Sequence, residues 1–288
     1  MKQRYERIEQ LSDQHPIHVL CRVLVVARSG YYAWKRQWPH RRAREDAQLS
    51  QLLVQAHAES RQTYGRPRLQ EALRQQGHRC GGKRIGRLMK AAGLFGRKPK
   101  RFRPRTTDSN HAGPIAPNLL AERSRPQAPN QVWVTDMTYI DTSEGWLYMS
   151  AMLDLYSRRI VGWAFASHLQ TELPLAALQM ALEHRAPAKG LLHHSDRGCQ
   201  YTSADYRGQL AGHGLEPSMS RSGNCYDNAA MESFWSTLKL ELVYRQTFLS
   251  RAQAQTAIFD YIETFYNRKR FHSALGYKSP VDFETNNN

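Results

Sequence analysis

Three acidic residues stand where carboxylates can do chemistry. Asp136 lies inside Val-Trp-Val-Thr-Asp-Met-Thr-Tyr-Ile, a strand-like run from Val132 to Ile140. Asp196 closes Leu-Leu-His-His-Ser-Asp, and Glu232 sits in the helix-like stretch Asn-Ala-Ala-Met-Glu-Ser-Phe-Trp, with 35 residues between the two. Carboxylates brought together from two strand ends and a helix form an oxygen-rich site suited to hard divalent cations. Two such cations can activate a water or hydroxyl and stabilise the leaving oxygen of a phosphoryl transfer.

Each residue also has a plainer reading. Asp136 could be a solvated strand-end acid; on a packed strand face, though, a carboxylate is costly unless paired or metal-bound. Asp196, followed by Arg197-Gly198, taken alone reads best as a turn former. Glu232 and Lys239 are two helical turns apart and nearly share a face, with Asn228 one turn earlier. A solvent-facing helix explains a Glu and a Lys equally well, but Phe234, Trp235, Leu238 and Leu242 mark a packed side, and Glu232 lies at its border.

The elements that must position these residues follow from hydrophobic period. Val132–Ile140, Trp146–Leu155 and Ile160–Phe165 read as strands, 171–185 as a helix, 191–194 as a short buried strand, 202–213 as a helix and 216–220 as a strand; 229–243 and 252–267 read as helices. That order describes an α/β layered domain. Before it, 17–37 reads as two helices broken at Arg28-Ser29-Gly30, and 45–59 as another. Tyr64-Gly65-Arg66-Pro67 leads into a helix ending near Gln76, and 83–92 forms a further one. Leu69, Leu73, Ile85, Leu88 and Met89 would pack together while Arg84, Arg87 and Lys90 project outward, the layout of a helix-turn-helix. Residues 96–130, rich in Arg, Lys, Pro, Asn and Ser, read as a linker, first basic and then more neutral.

The chain's 288 residues suffice for about two domains. No apolar run approaches the roughly 18 residues of a membrane span, and no signal peptide is recognisable. Cys21, Cys80, Cys199 and Cys225 are too scattered for a zinc module or a disulfide framework, which favours a reducing compartment. The net charge is +16, distributed unevenly: residues 1–130 carry +18 and residues 131–288 carry −2. Between Glu71 and Asp108 there is no acid. Such a field attracts polyanions and points to nucleic acid.

Order and flanks together carry a resemblance. Asp136, Asp196 and Glu232, with Lys239 seven residues after the Glu, resemble the Asp-Asp-Glu core of transposases and retroviral-type integrases. Trp133–Tyr139, His194–Tyr201, Gly223–Phe234 and Tyr266–Pro280 are similar to the second-frame (OrfB-type) proteins of the insertion-sequence-three family, as are Tyr64-Gly-Arg-Pro-Arg and Lys83–Met89. The likeness spans roughly 17–284. Cys199 departs from it, Ser being more usual after the Gly, and the His/Cys zinc module of retroviral integrases is missing.

The resemblance implies a ribonuclease-H-like catalytic domain preceded by an all-α helix-turn-helix DNA-binding region. It divides the chain into a helical region 1–95, a basic linker 96–130, a catalytic core 131–245 and a helical extension 246–288. It implies Asp136, Asp196 and Glu232 as catalytic residues holding two Mg²⁺ or Mn²⁺ ions, and cutting and joining of double-stranded DNA at inverted-repeat ends. Lys239 is expected on DNA near the site, with Asn228, Arg66, Lys83, Arg84, Arg87 and Lys90 as further contacts. Assembly as a homo-oligomer on DNA, a first-frame partner or fusion, and a cytoplasmic, nucleoid-associated location are also expected. A nuclease without strand transfer is the rival within the same chemistry. A non-catalytic DNA-binding regulator is the rival outside it.

Overall fold

A computed structural model describes residues 1–36, 41–97, 113–221 and 228–286. The chain forms two compact units: 1–62 with 69–95, and 63–68 with 96–288.

The first unit is helical. Helices α1 (Lys2–Leu11), α2 (Ile17–Val23) and α3 (Arg28–Arg36) bury Ile8, Leu20, Cys21, Tyr31 and Trp34 in one cluster. Helix α1 had no counterpart in the sequence reading. The expected break at Arg28-Ser29-Gly30 is instead the first turn of α3; the chain turns earlier, at Val25, whose φ is +54°. Gly30 serves proximity rather than a turn, because a Cβ there would fall 2.5 Å from the Tyr5 hydroxyl. Helices α4 (Arg41–Glu59), α5 (Arg66–Gln75) and α6 (Gly82–Ala91) follow. Leu49, Leu53, Leu69, Leu73, Ile85, Leu88 and Met89 are buried, as the apolar period requires.

The second unit is built on a five-stranded sheet of order β3-β2-β1-β4-β5, with β1 Val132–Ile140, β2 Leu147–Asp154, β3 Ile160–Ala166, β4 Leu192–Ser195 and β5 Glu216–Met219. β1, β2 and β3 form an antiparallel meander, whereas β4 and β5 run parallel to β1. Helix α7 (Glu172–Arg185) supplies the crossover from β3 to β4. It lies so close to β3 that a Cβ on Gly162 would sit 2.3 Å from the Ala177 carbonyl oxygen. Short helix α8 (Cys199–Thr202) and helix α9 (Ala204–Gly212) connect β4 to β5. Trp133, Met152, Val161, Ala177, Leu178, Ala181, Tyr201, Tyr206 and Leu210 fill the core. Helices α10 (Ala229–Glu241), α11 (Arg251–Asp260), a π-helical turn over Tyr261–Tyr266 and α12 (Pro280–Thr285) complete the unit.

Two of the expected segments are tied to the sheet. Residues 246–288 do not stand apart from the sheet domain. Asn267 donates to the Ile160 carbonyl and accepts from its N–H, both at 3.0 Å, and Glu284 takes hydrogen bonds from Arg159 and Arg185. The linker is also shorter than its composition suggests. The Pro117 carbonyl accepts from Met219 N–H, and Leu119 and Leu120 N–H donate to Ser218 Oγ, so this stretch covers the outer edge of β5. Exposed strand edges invite unwanted pairing, and a covering segment prevents it. The basic stretch 98–112 lies outside the described residues.

Candidate active site

Parallel pairing of β1 with β4 sets Val134 opposite His194. Asp136 lies two residues past Val134 within β1, and Asp196 lies two past His194, one residue beyond the end of β4, close enough for its charge to act on Asp136. Period-2 alternation and strand register thus convert a separation of 60 positions into a pair of neighbouring carboxylates.

Asp136 is held on both oxygens. Oδ1 accepts from the Met137 N–H at 2.8 Å, and Oδ2 accepts from the Trp235 indole N–H at 3.0 Å. Burial pushes its carboxyl up to about 7. The charge of Asp196 adds to this and that of Glu232 contributes less, while the two donated hydrogen bonds pull the other way. Asp196 Oδ1 accepts from Gly198 N–H at 2.9 Å, so the turn-forming role that its sequence suggests is real and coexists with its place beside Asp136.

Glu232 lies on the first turn of α10 and is exposed. Among the described residues, no three His, Cys, Asp or Glu side chains are gathered closely enough to hold a metal. The segment 222–227 that leads into α10 lies outside the described residues, Cys225 included.

The rest of α10 is fastened to β1. Asn228 is buried at its N-cap and donates Nδ2–H to the Thr135 carbonyl at 3.2 Å; its own Oδ1 is buried and has no partner among the described residues. The Lys239 ammonium stands 4.8 Å from the centroid of the Tyr139 ring. Burial pulls its pKa below the usual lysine range, and the charge of Asp136 opposes that shift.

Sequence reasoning overlooked several supports. Trp235 was read as packing, yet its indole is a ligand of Asp136. The signal was its position three residues after Glu232, which puts both on neighbouring faces of one helix. His193 and His194 read as part of an apolar strand. Instead, His193 Nε2 meets the Tyr206 hydroxyl at 3.0 Å, and His194 is bracketed by Ser218 Oγ at 2.8 Å and Ser220 Oγ at 3.0 Å. Burial, then the neighbouring His194, drives His193 down to about 3, so it is neutral and structural.

The expected DNA-contacting residues separate into two groups. Lys83 and Lys90 are exposed on α6, and Arg66 is exposed at the start of α5. Arg84 is only half-exposed and binds Asp46 at 2.6 Å and Glu45 at 3.3 Å; Arg87 binds Asp46 at 2.5 Å. The purely outward projection expected of these two arginines is replaced by ion pairs to α4. Asn228 faces β1 rather than solvent.

Comparison with known proteins supplies the context. The chain matches the integrase core domain family over 126–225 and again, through a second such family, over 213–280; the HTH-like domain family matches 43–102. It is 48% identical over 264 residues to the insertion element IS600 uncharacterized 31 kDa protein of Shigella sonnei, covering 92% of this chain and 97% of that one. It is 40% identical over 286 residues to the transposase InsF for insertion sequence IS3A of Escherichia coli (strain K12), covering 99% of both. Among solved structures it is similar to a simian T-cell lymphotropic virus intasome chain, at 14% identity and a TM-score of 0.47 over 81% of this chain and 74% of that one. It is also similar to the HTLV-2 integrase catalytic core domain in complex with magnesium, at 12% identity and a TM-score of 0.43 over 56% and 99%.

Proposed function

Because the chain belongs to the family of the IS3 InsF transposases, and is thus a DNA transposase with an integrase core and an HTH-like region, we propose that it performs metal-dependent strand cleavage and strand transfer at the inverted-repeat ends of a bacterial insertion sequence. The observation that carries this is the carboxylate pair. Asp196 follows the end of β4, which pairs in parallel with the strand that carries Asp136, and burial together with the charge of Asp196 raises the Asp136 carboxyl to about 7. A carboxyl in that state is offset by a cation, and hard oxygen donors suit Mg²⁺ or Mn²⁺.

Asp136 and Asp196 would hold the cations between them, and Glu232 would complete the set from α10. When bound, a pair of divalent cations activates the attacking water or 3′-hydroxyl and stabilises the leaving oxygen. Asp136 would hold a cation in its ionised form, and because its carboxyl is raised to about 7, metal binding would release a proton near neutral pH. Met137 N–H and the Trp235 indole keep the Asp136 oxygens in place throughout. Asn228 fixes the start of α10 against β1, and so sets where Glu232 stands. Lys239 would take a phosphate of the bound end.

In the first unit, Lys83 and Lys90 are the cations of α6 best placed for phosphate, with Arg66 a further contact from the second unit. Arg84 and Arg87 would read DNA only by giving up Asp46. A homo-oligomer on DNA, a first-frame partner or fusion, and a cytoplasmic, nucleoid-associated location accompany this reading. No helix of the described residues is long and apolar enough to cross a membrane.

The test is a cleavage and joining assay on duplexes carrying the element ends. Asp136→Asn, Asp196→Asn and Glu232→Gln should each abolish both steps while DNA binding persists, because an amide keeps the shape and removes the anionic charge. Wild-type joining by any one of them removes that residue from the set. Cleavage without joining by the wild type would favour a plain nuclease.

A further inference from the structure

An aromatic pair stands at the hairpin that joins β1 to β2. Trp146 leaves 47% of its surface to solvent. Its ring meets that of Tyr139 edge-on, with centroids 4.8 Å apart and planes at 81°. Lys239 Nζ lies 4.8 Å from the Tyr139 centroid and feels the charge of Asp136, which places one ammonium against the Tyr139 ring of the pair and near that carboxylate. Tyr139 is three strand residues past Asp136, about 10 Å.

The turn carrying Trp146 is braced. Thr142 Oγ donates to the Gly145 carbonyl at 2.6 Å, Gly145 N–H donates to the Thr142 carbonyl at 2.9 Å, and Arg251 Nε donates to the Trp146 carbonyl at 3.0 Å. A large apolar ring exposed to water on a braced turn, edge-supported by a second ring that carries a cation, has the composition of a base-stacking platform. Single-stranded nucleic acids are bound by aromatic faces for their bases and cations for their backbone.

We propose that Trp146, Tyr139 and Lys239 form a subsite for one unpaired nucleotide beside the cleavage point, the base stacking on Trp146 and its phosphate resting on Lys239. The inference rests on the strand-transfer reading and goes beyond it, because it says that the DNA next to the reacting phosphate is unpaired. Stacking is indifferent to base identity, so the subsite would add affinity without sequence preference.

The test uses the full chain with two short single strands, one carrying 2-aminopurine and the other an abasic residue at the same place. Wild type should prefer the base-bearing strand by roughly 5- to 150-fold, and 2-aminopurine emission should fall on binding. Trp146→Ala should lose both effects and Trp146→Phe should keep most of each. Lys239→Ala should weaken both strands alike. The subsite is overturned if Trp146→Ala discriminates between the strands as wild type does, or if wild type shows no preference. Wild-type joining of element ends, measured in parallel, separates the two claims: normal joining with no base preference removes the subsite alone, whereas absence of joining removes the reading beneath it.

Discussion

Helix α10 connects a buried ion pair and a half-buried carboxylate pair that are built on opposite principles. At its C-terminal end, Glu241 is 5% exposed, and Arg270 beside it is 4% exposed. Arg270 donates from Nε and Nη2 to the two Glu241 oxygens, both at 2.8 Å, the Tyr261 hydroxyl adds a bond at 2.7 Å, and Arg68 stands 3.9 Å away. Every charge there has an answering group. At the N-terminal end, Asp136 faces a second carboxylate, and its hydrogen bonds come from neutral donors. Burial makes an ion pair structural when the opposite charge is supplied by the chain. It makes a cluster receptive when the opposite charge must come from outside.

Removing one member of the compensated cluster should produce the largest loss of stability. Arg270→Ala leaves Glu241 buried without its bidentate partner, and a cost of about 3–5 kcal/mol is expected from urea unfolding. A joint Arg270→Met, Glu241→Leu replacement should recover much of that loss. Failure to recover would mean that the pair contributes more than mutual compensation.

At the other end the sign reverses. The Asp136 carboxyl is raised from 3.8 to about 7. Its protonated form is therefore favoured in the folded state; the associated stability is complete below about pH 4 and is lost as pH rises through about 7. Asp136→Asn should abolish joining yet stabilise the metal-free protein at pH 8 by on the order of 1–2 kcal/mol, with little change at pH 4. Thermal melts in a chelator at the two pH values check this. Equal shifts at both would show that the carboxylate pair is not the cause.

Trp235→Phe removes the one side-chain donor that favours ionised Asp136. A loss of about 1 kcal/mol is expected at pH 8, with a smaller loss at pH 5 and weaker Mn²⁺ binding by calorimetry. If Mn²⁺ affinity is unchanged, the indole is packing alone.

The smallest effect belongs to the exposed pair of the helical unit. Arg87→Ala should cost under about 1 kcal/mol, because surface ion pairs contribute little. Lys90→Ala should leave stability unchanged and lower the salt slope of DNA binding by about one.

Much of this was legible in the chain. Apolar period located the strands and most helices, since it records which faces are buried. The order, spacing and flanks of Asp136, Asp196 and Glu232, through the resemblance they carry, singled these acids out as candidates. What stayed hidden were partnerships across long separations. Nothing local in Arg84 or Arg87 announces Asp46, which lies 38 and 41 residues away. The run Tyr266–Pro280 reads as no less functional than the run around Glu232, yet its Asn267 and Arg270 close the fold. Tyr64 and Arg68, read as part of the helix-turn-helix, are tied to the same run: the Tyr64 hydroxyl donates to the Lys269 carbonyl and accepts from Phe271 N–H, and Arg68 Nε donates to the Phe271 carbonyl.

By itself the sequence determined the elements, the concentration of positive charge before residue 131 and the identity of the acids, because these depend on residue type and local period. Only the tertiary structure decided which charges are compensated and which remain receptive. That follows from Coulomb's law, in which the energy of a pair depends on its separation and on the surrounding dielectric, and folding alone sets both.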